Sequence, residues 1–381
     1  MKNIHCVVGA GYGDEGKGMY VNHLSKCYEH PIVIRANGGA QCGHTVVENG
    51  RRYVFSHIGS GSVQGAATFL SKYMVLNPVL FLKEVNERHV DLNPIVFVDS
   101  ACQVSTPFDM LYNQYIEQKR DNNRHGSVGV GFGATLERVD NGISLTYNDL
   151  ESYRLKERVN YIRSYWLNKM SPKTLEKTRF LNNIKDYFYD DYFLDRFIID
   201  CKMFLEKTRK YRFEDILHDY DTLIFENGQG LLLDQEYGHF PYVTRSNTGY
   251  RNISKLLKRY NQHNENITVY YLTRAYTTRH GAGPLPFEHV VLNGINVVDE
   301  TNVWNMYQHG LRLAPLNLKE YEDAIRWDST THTDNVKIER VVTCVDHVVG
   351  PEVVICKDGR LFNLSKKQFI DELYSHFDVV V

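Results

Sequence analysis

Gly11-Tyr12-Gly13-Asp14-Glu15-Gly16-Lys17-Gly18 is the stretch on which the reading of this chain turns. Ile4–Val8 before it has the pattern of a short buried strand, and Tyr20–Cys27 after it reads as the start of a helix. A glycine-rich loop between strand and helix suits phosphate, because it aims backbone N–H groups and a helix N-terminus at one anion. The stretch fits two patterns at once: G-x-G-x-x-G, a dinucleotide fingerprint, and G-x-x-x-x-G-K, most of a P-loop. On the first pattern a second strand, Pro31–Ile34, ends at Arg35, where an acidic residue would meet a ribose. Arg35 suits a 2′-phosphate, which keeps an NADP-binding oxidoreductase open. Asp14 and Glu15, however, would repel the pyrophosphate such a turn approaches. On the second pattern Gly18 replaces the Ser or Thr that binds Mg²⁺, and the Asp14 carboxylate is a hard oxygen ligand that can substitute. A bare tight turn needs no Asp-Glu-Gly-Lys between its glycines. The preferred reading is a nucleoside triphosphate loop in which Gly13, Glu15, Gly16, Lys17 and Gly18 surround phosphates.

Working outward, the sequence repeats strand, glycine loop, helix. Asn37–Thr45 is a second glycine loop, and Tyr53–Ser56 reads as a strand after a turn at Glu48-Asn49-Gly50. Pro94–Val98 is a buried strand, and Gly126–Gly133 is a third glycine loop. Thr222–Phe225 runs into Glu226-Asn227-Gly228-Gln229-Gly230, and Asn266–Leu272 runs into Arg274–Pro284. Val341–Cys344 and Glu352–Cys356 read as late strands, with Lys367–Phe377 a final helix. Residues 147–220 have few glycines and helix-like spacing. The expectation is one α/β domain over 1–381: a large, mostly parallel central sheet with a P-loop-like nucleotide site and a mostly helical insert at about 147–220. Loops gathered at the strands' carboxyl ends are where such sheets bind ligands.

Bulk composition narrows the function. The 381 residues are 43% hydrophobic and 24% charged, with net charge −2, so no basic field points to nucleic acid or anionic lipid. The seven cysteines form no CxxC pair, which argues against a zinc ribbon or disulfide framework and for a reducing compartment. No apolar run approaches the ~20 residues of a membrane span, and the start is no signal peptide. The cytoplasm is the expected location.

Other residues carry candidate chemistry. His44 lies in a glycine-rich loop, and its ordinary pKa suits proton donation near neutrality. Gln229, between two glycines, offers an amide to a base edge. Arg274, Arg279 and Arg312 suit anionic groups, Arg274 being the one that reads most as a scattered surface arginine. Thr277, Thr278, Gly281 and Gly283 give their loop donors and mobility. Ser127 and backbone N–H groups of the third loop could hold another phosphate, and Asp346 could meet a base.

Together these residues resemble the adenylosuccinate synthetase family. Its Q-W-G-D-E-G-K-G-K signature corresponds to Gly11–Met19, and its G-G-x-N-A-G-H-T to Gly38-Gly39-Ala40-Gln41-Cys42-Gly43-His44-Thr45. Its E-G-x-Q-G and Y-P-Y-V-T-S stretches correspond to Glu226–Gly230 and Phe240–Arg245, and its T-R-V-G-A-G-P-F-P-T-E to Thr278–Glu288. The resemblance implies a ligase that uses Mg²⁺, a nucleoside triphosphate (GTP or ATP), a purine nucleoside monophosphate and L-aspartate. Asp14 would take the N1 proton of a 6-oxopurine and bind Mg²⁺, with His44 opposite, near O6 and the γ-phosphate. Gly43 would give Mg²⁺ a backbone oxygen. Gln229 and Thr244 would bind base and 5′-phosphate, with Ser127 or Val128 in the family's threonine position and Gln41 near the purine. Thr277, Thr278, Arg279, Gly281 and Arg312 would face aspartate and phosphates. The family forms homodimers in which a partner arginine completes the nucleotide site; Arg138 is the candidate.

The chain also departs from the family. Gln308–Asn317 stands in place of the arginine-rich aspartate loop, with one arginine, Arg312. The guanine-reading T-K-L-D is Thr343-Cys344-Val345-Asp346, and the terminal S-T-G-P stretch has no counterpart. ATP or dATP thus stands beside GTP as donor. A phage branch of the family acts on dGMP and often lacks the first-loop aspartate; Asp14 is kept here, which favours a hypoxanthine nucleotide (IMP). A non-catalytic nucleotide-binding module is the remaining alternative.

Overall fold

The first strand spans Asn3–Gly9 (β1) and is buried at every position after Asn3. Ile4, Cys6 and Val8 pack into one core, while Val7 packs with Val21, Leu24, Val33 and Leu272 in another. Side chains that alternate between two apolar layers are what a strand covered on both faces requires. The computed structural model describes residues 2–89, 91–120, 125–170, 186–259, 266–297, 304, 310–332 and 335–381.

Among the described residues, eight further strands join β1: Ile32–Arg35 (β2), Ala67–Leu70 (β3), Val96–Val98 (β4), Arg209–Lys210 (β5), Thr222–Gly230 (β6), Asn266–Arg274 (β7), Val336–Thr343 (β8) and Val379–Val380 (β9). Their order is β9-β8-β7-β1-β6-β2-β3-β4-β5. Every neighbouring pair is parallel. The expected parallel sheet is present, and the loops after β1, β6 and β7 emerge side by side at its carboxyl end.

Helix α1 (Lys17–Lys26) follows the first loop directly. The helical segment after 147 contains Leu155–Lys169 and Asp191–Glu206, while 171–185 lie outside the described residues. These helices share a core around Trp166, Phe197 and Phe204. The segment is not wholly helical, because its Arg209–Lys210 supplies the sheet's edge strand.

Two features went unforeseen. Tyr276–Arg279, Arg312–Asn317, Glu352–Lys357 and Arg360–Ser365 form a separate mixed four-stranded sheet. His44 also does not sit in a mobile loop. It opens a hairpin, His44–Glu48 against Arg51–Phe55, that turns at Asn49-Gly50, both with positive φ. No helix among the described residues is long and apolar enough to cross a membrane.

Candidate active site

The first loop is shaped by its own acid. Glu15, 3% exposed, accepts from the N–H groups of Gly11 (3.1 Å) and Gly13 (2.7 Å), and pairs with buried Lys17. Three successive loop carbonyls are held from outside: Gly13 O by the Thr278 hydroxyl (3.2 Å), Asp14 O by Arg274 Nε, and Glu15 O by the Thr343 hydroxyl (3.1 Å). Asp14 adopts φ 64°, a left-handed conformation rare outside glycine, which these anchors impose. Its side chain stays one-quarter exposed, with Oδ2 3.3 Å from His280 Nε2. Burial works against its charge, but His280, then Arg274 and Lys17, outweigh it and hold the carboxyl below its usual range.

Gly18 accounts for the missing Ser or Thr. A Cβ there would lie 2.9 Å from Thr45 O and 3.1 Å from His44 Cβ, so α1 reaches the His44 hairpin only with glycine at this position.

His44 is 5% exposed. Its Nδ1 lies 2.5 Å from Glu226 Oε1, and since an ionised carboxylate only accepts, Nδ1 carries the proton. Ser60 donates to Glu226 through N (3.0 Å) and Oγ, and Arg35 Nη1 lies 3.4 Å from Glu226 Oε2. The other ring nitrogen, Nε2, is buried without a hydrogen-bond partner. Burial, reinforced by Arg35 and Lys17, pushes His44 down to about 4 against the opposing pull of Glu226. Burial would raise Glu226, but His44 and Arg35 bring it to about 2. His44 is therefore neutral at pH 7, not poised near neutrality as its ordinary pKa suggests. Arg35, fully buried in this cluster, is not free for a 2′-phosphate, which removes the main support for NADP binding.

One cleft of about 1830 Å³ brings these elements together. Its lining includes Gly13 to Gly18, Gln41, Gly43, His44, Ser127, Val128, Gln229, Thr244, Arg279 and Asp346. Comparison with known proteins fits this arrangement: a family model described as adenylosuccinate synthetase matches residues 6–312. The chain belongs to the adenylosuccinate synthetase family. The enzyme of Pseudoalteromonas atlantica is 31% identical over 298 residues, covering 75% of this chain and 65% of that protein. That of Vibrio parahaemolyticus is 31% identical over 308 residues (76% and 64%), and that of Borrelia duttonii 30% over 251 residues (64% and 56%). The matched stretch thus spans less than two thirds of each of these relatives. Two solved structures share the fold: fully ligated adenylosuccinate synthetase from Plasmodium falciparum (TM-score 0.69, 17% identity, 100% of this chain and 96% of that one) and cyanophage S-2L succinoaminodeoxyadenylate synthetase bound to dGMP and dATP (0.58, 15%, 100% and 91%).

Several residues carried over from the adenylosuccinate synthetase pattern do other work in this chain. Arg138 is fully buried, with Nε on Asp109 Oδ1 (2.9 Å), Nη1 on Ile143 O (2.8 Å) and Nη2 on Val104 O, so it does not extend towards a second subunit. Thr277 donates to Pro315 O and Thr278 to Gly13 O; neither lines the cleft. Arg312 binds Glu288 and the carbonyls of Gly281 (3.0 Å) and Gly283 (2.8 Å), so it clips the loop together, and Gly281 is part of what it clips. Arg279 reaches the cleft, but its guanidinium rests on the Tyr12 ring (4.4 Å to the centroid) and donates to the carbonyls of Pro284, Tyr242 and Ala282. The Ser127 hydroxyl is engaged by Asn113 and Gly129 N. Asp346 sits on the rim, its side chain 82% exposed.

Glu226, His280 and Arg274 are the residues that motif reading underused. Arg274 is an anchor of the first loop and not a surface arginine. Glu226 ends a buried apolar run and opens the Glu226-Asn227-Gly228-Gln229-Gly230 turn, and an acid at that strand end was the available signal.

Proposed function

We propose that this chain is a nucleoside triphosphate-dependent ligase that joins L-aspartate to C6 of a 6-oxopurine nucleoside 5′-monophosphate, with IMP the favoured nucleotide, acting as a cytoplasmic homodimer. The observation that carries the reading is the convergence of ionised Asp14 and the unpartnered Nε2 of His44 on one cleft with the Lys17 loop. Phosphorylating O6 turns a poor leaving group into a good one, and this constellation suits that chemistry.

Asp14 accepts the N1 proton, which places negative charge on O6. O6 attacks the γ-phosphorus, the bond to the β-phosphate oxygen breaks, and a 6-phosphoryl purine and a nucleoside diphosphate result. Lys17 and the loop N–H groups stabilise charge on the transferring group. A γ-phosphate beside Nε2 favours the imidazolium, so His44 takes up a proton with the substrate and hydrogen-bonds the transferring oxygens. The amino group of aspartate then attacks C6, loses a proton, and expels phosphate. Among the described residues no three His, Cys, Asp or Glu side chains form a metal cage. Mg²⁺, which one or two protein oxygens plus substrate phosphates can hold, fits Asp14 and the Gly43 carbonyl and would supply positive charge to the phosphoryl group.

Phosphate release tests the reading: IMP, GMP, dIMP and dGMP crossed with ATP, dATP and GTP, with and without L-aspartate. Aspartate-dependent release with IMP supports it. Release with dGMP and ATP or dATP but not IMP reassigns the chain to 2-aminopurine chemistry, and no release in any combination ends the ligase reading.

A further inference from the structure

The third glycine loop is built around an acid, as the first one is. Glu117 belongs to the helix Pro107–Arg120 (α2), is 1% exposed and lines the cleft. Its Oε2 accepts from three successive backbone N–H groups, His125 (3.2 Å), Gly126 (3.2 Å) and Ser127 (3.4 Å). Its Oε1 pairs with Arg120 Nη1 at 2.6 Å. Glu15 does the same in the first loop with Gly11 N, Gly13 N and Lys17. Each loop thus encloses a carboxylate that takes up N–H groups on its inner side and a basic side chain beside them.

What this leaves over is specific. Gly129 N is taken by the Ser127 hydroxyl (3.2 Å) and Gly131 N by Asn113 Oδ1 (3.2 Å). Of the seven N–H groups from His125 to Gly131, five are thereby turned inward. Val128 and Val130 alternate with Gly129 and Gly131, take no part in this internal set, and line the cleft. The loop is fixed from its other side too: a Cβ on Gly126 would lie 2.8 Å from Ala282 N and 2.8 Å from Gly281 Cα, so the two loops touch backbone to backbone.

We infer that Glu117 is a positioning residue for nucleotide binding: by taking the N–H groups of His125, Gly126 and Ser127 it sets the start of the loop whose Gly129 and Gly131 N–H groups Ser127 and Asn113 hold, leaving those of Val128 and Val130 to the cleft, where they receive the 5′-phosphate of the purine nucleotide. This rests on the proposed reading of the cleft as a purine monophosphate site. A loop shaped in advance loses no ordering entropy when the anion arrives, and its donors need no rearrangement.

Calorimetric binding of IMP and of inosine to wild type, Glu117→Ala and Glu117→Gln tests this. In the wild type IMP should bind at least tenfold more tightly than inosine; if it does not, the cleft reading itself fails. In Glu117→Ala, IMP affinity should fall about tenfold or more while inosine affinity stays within twofold. Glu117→Gln keeps one acceptor oxygen and should lose less; it also serves if the alanine variant does not fold, which thermal melting detects. Equal losses for IMP and inosine would reduce Glu117 to a general structural role. Tighter IMP binding in either variant would mean that the carboxylate competes with the phosphate, and would overturn the inference.

Discussion

His280 Nε2 lies 3.3 Å from Asp14 Oδ2, and this contact is the leading influence that keeps Asp14 ionised against its burial. Asp14 titrates below its ordinary value in the folded protein, so the acid limb of kcat/KM should lie below the usual carboxylate range. Removing His280 removes the largest influence that lowers the Asp14 pKa, so that pKa must rise. His280→Ala should move the acid limb upward, with Asp14→Asn inactive across the range. A pH–rate profile of the variant that coincides with the wild type would separate His280 from Asp14.

In the Glu226–His44 pair the imidazole, not the carboxylate, shifts the opposite way from an ordinary surface pair. His44 titrates at about 4 in the fold against about 6.5 for a free imidazole. Its contribution to stability is complete above 6.5 and is lost as pH falls through 4. Glu226 titrates at about 2 against an ordinary 4.5, so its contribution is complete above 4.5 and is lost as pH falls through 2. Both make the fold acid-labile. Glu226→Gln lacks the carboxylate that orients Nδ1–H and should lower kcat roughly 10- to 100-fold. Urea unfolding at pH 7 and pH 5 should still show the His44 loss in this variant. Unchanged kcat would mean that the imidazole needs no orienting partner.

Gly18 is the position where an ordinary P-loop has Ser or Thr, and restoring the consensus should do harm. The added Cβ meets Thr45 O at 2.9 Å and His44 Cβ at 3.1 Å, on the hairpin that carries His44. Gly18→Ser should destabilise by about 1–3 kcal/mol and reduce kcat more than it raises KM for the triphosphate. Chemical denaturation and steady-state kinetics read the two effects separately. An active and stable Gly18→Ser enzyme would show that α1 can move back from the hairpin at little cost.

The parallel sheet and the three loops were legible because their signals are local: short apolar runs ending in glycine and charge. Asp14, Lys17, His44 and Gln229 could be singled out as candidates for the same reason, since each sits among glycines that put a side chain near the strand ends. What stayed hidden depends on contacts between distant segments. Nothing near Arg138 announces Asp109, 29 residues away, as its partner, and nothing near Arg312 announces the Gly281 and Gly283 carbonyls. Arg209–Lys210, two charged residues, reads as a strand only because β4 lies beside it. Tyr276–Arg279 joins a second sheet through pairing with Arg312–Asn317, and its own four residues carry no such information.

Arg312 offers the sharpest contrast between a residue's place in a family pattern and its work in this chain. Its guanidinium bridges Gly281 O, Gly283 O and Glu288, drawing together the loop that holds His280 and Arg279. A direct aspartate ligand would, when lost, raise the KM for aspartate and spare the nucleotide. A clip would loosen the whole loop: His280 would drift from Asp14, and Arg279 would leave Tyr12 and the Tyr242 carbonyl. The nearby Gly126 turn, packed on Gly281, would loosen with it. Arg312→Ala should therefore raise the KM values for aspartate and the purine nucleotide together, each by several-fold. It should also shift the acid limb upward as His280→Ala does, because both changes weaken the support of Asp14. Arg312→Lys keeps the charge but cannot bridge two carbonyls and a carboxylate in one plane, so it should behave like the alanine variant. Steady-state kinetics with each substrate varied in turn decide between the two roles, and a defect confined to aspartate would return Arg312 to the amino-acid site.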